Sequence, residues 1–93
     1  MEFDWPGSGF VPTEISAKEI EESFEDPFCI RLLPDHEEVD GREARYFVLG
    51  KSISSRMIFT VFWTDGKRYR VIFSRQMTPE EETFYERKNS EFN

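Results

Sequence analysis

Three arginines, Arg56, Arg70 and Arg75, carry the clearest chemical possibility in this 93-residue chain. They stand in or beside two alternating apolar stretches, "SRMIFTVFW" and "KRYRVIFSR". A guanidinium is planar, always charged and forked, so it can hold a phosphate or a carboxylate through two parallel hydrogen bonds. Asp65-Gly66 lies between the stretches and reads as a two-residue hairpin turn, a type whose turn positions need positive φ. Counting outward from it sets Trp63 against Arg68, Val61 against Arg70 and Arg56 against Arg75. Like charges directly opposite each other cost about 0.2–1 kcal/mol. An anion between Arg56 and Arg75 would reverse that cost. Either a bound phosphate or the carboxylates of Glu80, Glu81 and Glu82, which follow closely, could supply it.

The same register puts Phe59 and Trp63 on one face with Arg68 and Arg70, a mixture suited to a ligand or a partner. The opposite face, with Ile58, Thr60, Phe62, Tyr69, Val71 and Phe73, reads as core. Other groups offer less. His36 sits among Asp35, Glu37, Glu38 and Asp40 and reads as a solvated loop histidine rather than a general base. Those four acids lack the spacing of a calcium loop. Cys29 is the single cysteine, so neither an internal disulfide nor a cysteine zinc cluster is expected. No Gly-rich phosphate loop, nucleophile elbow or His-Glu-x-x-His pattern is present, and no cofactor is implied.

The net charge of −7 argues against general nucleic-acid affinity, but it hides an asymmetry. Residues 1–41 carry −10, residues 42–75 carry +6 and residues 76–93 carry −3. A local positive patch can bind anions on an acidic protein. The plainer reading is that positive strands and negative helices neutralise each other on packing. Aromatics make up 16% of the chain, which points to a packed core. No apolar run approaches the length of a membrane span and no leader pattern is seen, so a cytoplasmic protein is expected.

The elements that position these groups follow from pattern. "MEFDW" reads as a short first strand and "PGSGFVPT" as a loop. Ser16 and Glu19 form a capping box for a helix over 16–25, with Ile15 and Ile20 placed as a hydrophobic staple and Pro27 ending it. "FCIRLL" and "ARYFVLG" read as strands joined by the polar "PDHEEVDGRE". The two arginine-bearing strands come next. Thr78, Pro79 and Glu81 then start a final helix with a second capping box. The order β-α-β-β-β-β-α predicts one α+β domain over 1–93, with a mostly antiparallel sheet of about five strands and helices packed on one side.

These pieces, in this order, resemble the BrnT family of type II toxin–antitoxin ribonuclease toxins. "EFDW" resembles the family's opening strand, and "ISAKEIEESFEDP" its Val-Ser-x-x-Glu-Ala-x-x-x-Phe-x-Asp-Pro helix. "REARYFVLG" is similar to its Glu-Glu-Arg-x-x-x-x-Gly strand and places Arg45 and Gly50. "RVIFSRQMTPEEETFYE" resembles the last strand and helix, with Arg70, Arg75, Thr78, Glu81 and Tyr85 in place. The resemblance implies a RelE-like fold and metal-independent endoribonuclease activity that arrests translation. It also implies RNA as substrate, a cognate DNA-binding antitoxin as partner and a possible homo-oligomer. Arg56, Arg70 and Arg75 would hold and stabilise the scissile phosphate, with Arg45, Trp63, Arg68 and Tyr85 as further contacts. Several basic positions of the family pattern are replaced, by Pro12, Gln76, Pro79 and Glu80, and the usual Lys-His-Gly helix end is missing. Phosphate contacts dominate RNA affinity, so these departures support an alternative, a non-catalytic module that binds a protein.

Overall fold

The computed structural model describes residues 2–8, 14–32 and 44–90. Its elements in chain order are β1 (Glu2–Phe3), α1 (Trp5–Ser8), α2 (Ala17–Glu25), β2 (Ile30–Leu32), β3 (Ala44–Lys51), β4 (Met57–Thr64), β5 (Arg68–Gln76) and α3 (Pro79–Ser90). They form one five-stranded sheet in the order β1-β5-β4-β3-β2. All neighbouring pairs are antiparallel except β1 with β5, which is parallel and makes the sheet mixed. The α+β class and the succession of the larger elements follow the expectation.

Both capping boxes form. Ser16 Oγ accepts from the Glu19 amide at 3.1 Å, and a Glu19 carboxylate oxygen accepts from the Ser16 amide at 3.3 Å. Thr78 Oγ1 accepts from the Glu81 amide at 3.2 Å, and Glu81 Oε1 accepts from the Thr78 amide at 2.8 Å. Each box satisfies two amides that the first helical turn would leave without partners. The single turn of α1 falls where the sequence predicts a loop. Asp4 starts it by accepting from the Gly7 amide at 3.1 Å, and Pro6 sits in the first turn, where a missing N–H does no harm. β2 begins at Ile30, later than "FCIRLL" predicts, because Asp26 accepts from the Phe28 amide and holds residues 26–29 in a turn.

The predicted hairpin register is corrected. Thr64 pairs with Tyr69 and Trp63 with Arg70, so four residues form the loop instead of two. Asp65 explains the difference: its side chain accepts from the amides of Lys67 at 2.8 Å and Arg68 at 2.9 Å, which widens the turn. A bulge then places Ile72 opposite no residue, since Phe62 pairs with Val71 and Val61 with Phe73. Beyond it Phe59 faces Arg75, and Arg56 does not.

Apolar residues occupy both alternations of β3 and β4, so the sheet buries both faces. Val48, Ile58, Phe62 and Val71 pack with Ile15, Ile20 and Phe24 under α2. Phe24 meets Phe62 edge-on at 4.8 Å and Phe3 at 5.0 Å. On the other face Leu49, Met57 and Phe59 pack with Met77 and Tyr85 under α3. The helices are therefore divided between the two faces and not gathered on one, as sequence pattern had suggested. Gly50 lets α2 approach β3 closely, with the Ser23 carbonyl where a Cβ would stand.

Candidate functional site

The α3 face of the sheet is organised in rows across the strands. Arg45, Trp63 and Arg70 form the row nearest the hairpin turn. Phe47, Val61 and Phe73 form the next, and Leu49, Phe59 and Arg75 the third. α3 lies over the third row. The first two stay open: Arg45 and Arg70 are exposed, and Phe73 is 45% exposed. The bulge at Ile72 moves Phe73 from the expected core face to this one, a shift that side-chain periodicity alone could not reveal.

Two guanidiniums on this face, those of Arg70 and Arg75, each lie on an aromatic ring and meet an acid. Arg70 stands 4.9 Å over the Trp63 ring, and its Nε is 3.1 Å from Asp4 Oδ2. Arg75 stands 4.3 Å over Phe59 and donates to both carboxylate oxygens of Glu81, at 2.7 and 2.9 Å. This fork-to-fork pair holds the Glu81 carboxyl below its ordinary value and raises Arg75 above its own. Glu81 is thus the acid among the three candidates that answers Arg75, and it does so while closing the helix cap.

Arg56 belongs elsewhere. It pairs with Glu19 of α2 at 3.0 Å and donates to the Glu14 carbonyl at 3.0 Å, on the α2 side of the sheet. The structure therefore brings Arg45, Arg70 and Arg75 with Trp63 to one face and sets Arg56 apart. Arg68 lies exposed at the hairpin turn. Tyr85 is buried beneath α3, and its hydroxyl donates to Asp26 Oδ2 at 2.5 Å. Burial, helped by that carboxylate, pushes the phenol well above its ordinary value. Trp63 Nε1 is buried with no hydrogen-bond partner among the described residues. His36 and the acids around it lie outside the described residues.

Of the acids that answer the arginines, the sequence names Glu81, with Glu80 and Glu82, for Arg75 and misses Asp4. Glu81 had a signal, the capping box, which fixes where its carboxylate sits. Asp4 had none, because 66 positions separate it from Arg70.

A family model described as "Ribonuclease toxin, BrnT, of type II toxin-antitoxin system" matches residues 13–81. The chain belongs to this family. The BrnT match spans well over half the sequence and contains Arg45, Arg56, Trp63, Arg68, Arg70 and Arg75. Asp4 and Tyr85 fall outside it. No curated protein and no solved structure matches the chain. Among the described residues, no helix is long and apolar enough to cross a membrane.

Proposed function

We propose that this protein is a toxin ribonuclease that binds single-stranded RNA on the open face of its sheet and is neutralised by a protein antitoxin. The observation that carries the reading is the alignment of Arg45, Trp63 and Arg70 in one cross-strand row, with Phe73 and Arg75 following along β5. Aromatic faces that stack bases, interleaved with cations that track phosphates, are what a single strand requires. Arg70 and Arg75 exchange their carboxylates, Asp4 and Glu81, for phosphate oxygens. Arginine then stabilises the charge that builds on the phosphate during attack by the ribose 2′-hydroxyl. The 2′-oxygen bonds to phosphorus as the bond to the 5′-oxygen breaks, and separate groups take the hydroxyl proton and protonate the leaving oxygen. Arg56 joins the first helix layer to the sheet in this reading and does not touch substrate. The family's type II system supplies the antitoxin, and a DNA-binding antitoxin fits the expectation from resemblance.

The test is cleavage of single-stranded RNA by purified protein, with Arg70→Ala and Arg75→Ala beside it. Loss of one charge-stabilising donor lowers the rate by about 10²–10³-fold. Arg56→Ala, once corrected for stability, is expected to retain most activity. Cleavage undiminished in both Arg70→Ala and Arg75→Ala would overturn the site. A second reading, a protein-binding relative without catalysis, draws on the fact that Arg56, Arg70 and Arg75 are already paired with carboxylates. It requires that wild-type protein leave RNA intact, even at low salt.

A further inference from the structure

Between the N-terminal half of α3 and the sheet runs a groove of about 330 Å³. Its floor is apolar, made by Phe47, Leu49 and Phe59, and Phe84 of α3 forms one wall at 36% exposure. Glu80 and Glu81 stand at its rim. The two acids are not equivalent. Glu81 is spent on Arg75, whereas no cation pairs with Glu80 among the described residues. Lys88 lies 5.8 Å over the Phe84 ring, one turn further along the helix. The groove's volume is at the lower end of ligand sites, which run to about 300–1,000 Å³, and it lacks the convergent polar groups that orient a small molecule. Its acidic rim repels phosphate, which separates it from the arginine row that shares this face of the sheet.

We infer that this groove is a docking surface for a protein partner that presents an amphipathic segment, with apolar side chains against Phe47, Phe59 and Phe84 and a lysine or arginine against Glu80. Helix-in-groove recognition uses this combination of an apolar floor and a charged rim. The inference rests on the reading that the chain acts with a protein partner, and it places that partner beside the RNA face. A segment seated here lies against Glu81 and therefore next to Arg75. Occupancy of the groove and engagement of RNA by Arg75 are thus adjacent events on one surface.

The experiment uses a synthetic 14-residue amphipathic helix of leucine and lysine, its leucine and glutamate counterpart, and the full chain. Backbone-amide NMR reports where each binds. The leucine–lysine peptide is expected to shift Phe47, Leu49, Phe59 and Phe84, and the glutamate version to leave them unmoved. Glu80→Lys is expected to weaken binding about five- to tenfold. Glu25→Lys, the same charge change on an exposed position of α2, controls for net charge and is expected to change affinity less than twofold. Phe84→Lys should abolish the groove shifts while RNA cleavage persists, so failure here is distinct from failure of the ribonuclease reading. Equal effects of Glu80→Lys and Glu25→Lys would overturn the inference, because attraction would then be nonspecific. So would shifts confined to other surfaces. Groove shifts produced by RNA alone, or by concentration-dependent self-association that Phe84→Lys removes, would reassign the groove and overturn it as well.

Discussion

Replacing Gly50 with alanine tests the fold where its two layers come closest. A Cβ at this position would lie 2.1 Å from the Ser23 carbonyl oxygen, 2.9 Å from its carbon and 3.1 Å from its Cβ. Carbon–oxygen contacts relax at about 3.3 Å or beyond, so α2 and β3 would have to separate by about 1 Å. The obstructing atoms are mostly helix backbone, and no rotamer change relieves them. Separation would also loosen Ile20 and Phe24, which are 0% and 3% exposed in the core. Overpacking of this kind costs about 1–3 kcal/mol, and the backbone origin of the clash places Gly50→Ala near 3 kcal/mol. For a domain of this size that is a fall in Tm of about 12–24 °C. Gly66→Ala provides the contrast. Gly66 has φ of 95°, but nothing lies within 4 Å of its Cβ position, so strain alone acts and costs about 1–2 kcal/mol. Urea and thermal unfolding followed by circular dichroism measure both. A loss below about 1 kcal/mol for Gly50→Ala, or a larger loss for Gly66→Ala, would refute the close-approach argument.

Glu81 has two roles that substitution can separate. Glu81→Gln keeps an acceptor for the Thr78 amide and removes the charge opposite Arg75; with both side chains partly exposed, it should cost less than about 1 kcal/mol. Glu81→Ala also loses the cap and should cost about 1.5–2.5 kcal/mol by denaturant unfolding. Under the ribonuclease proposal, Glu81→Gln frees Arg75 and should tighten RNA binding in a fluorescence titration. Acid titration should show the same pair. The folded Glu81 carboxyl titrates below its ordinary 4.5, so its contribution is complete above that pH and is lost as pH falls through the depressed value. Glu81→Gln should flatten that part of the stability profile. Tyr85→Phe removes the bond to Asp26 and should cost about 1.5 kcal/mol at neutral pH. The folded phenol is raised above its ordinary 10.0, so stability from this group should fade as pH rises past 10 in the wild type and not in Tyr85→Phe.

Features governed by neighbours along the chain were legible in the sequence. Ser16 with Glu19 and Thr78 with Glu81 set both helix starts, because a capping box depends on spacing alone. The alternation in β4 correctly separated Ile58, Thr60 and Phe62 from Phe59 and Trp63. The arginine arrangement was less accessible, since it depends on register. Asp65 widens the turn through side-chain bonds, and one bulged residue then inverts the alternation of β5. Those two shifts turn the expected Arg56–Arg75 pair into Phe59–Arg75. The division of the helices between the faces was also hidden, because it depends on which buried row each helix selects.

The parallel pairing of β1 with β5 has a kinetic consequence. Glu2 and Phe3 find Arg68 and Tyr69, and the Asp4 amide donates to the Tyr69 carbonyl at 2.9 Å. Closing so long a loop costs entropy that local hairpins do not incur, so the first strand docks after β4 and β5 have paired. During synthesis the opening segment waits unpaired until nearly the whole sheet has emerged. Asp4 arrives with that segment, and with it the anchor that holds Arg70 over Trp63. The row itself is set once β3, β4 and β5 have paired, so it is the acid holding Arg70, not the row, that arrives late.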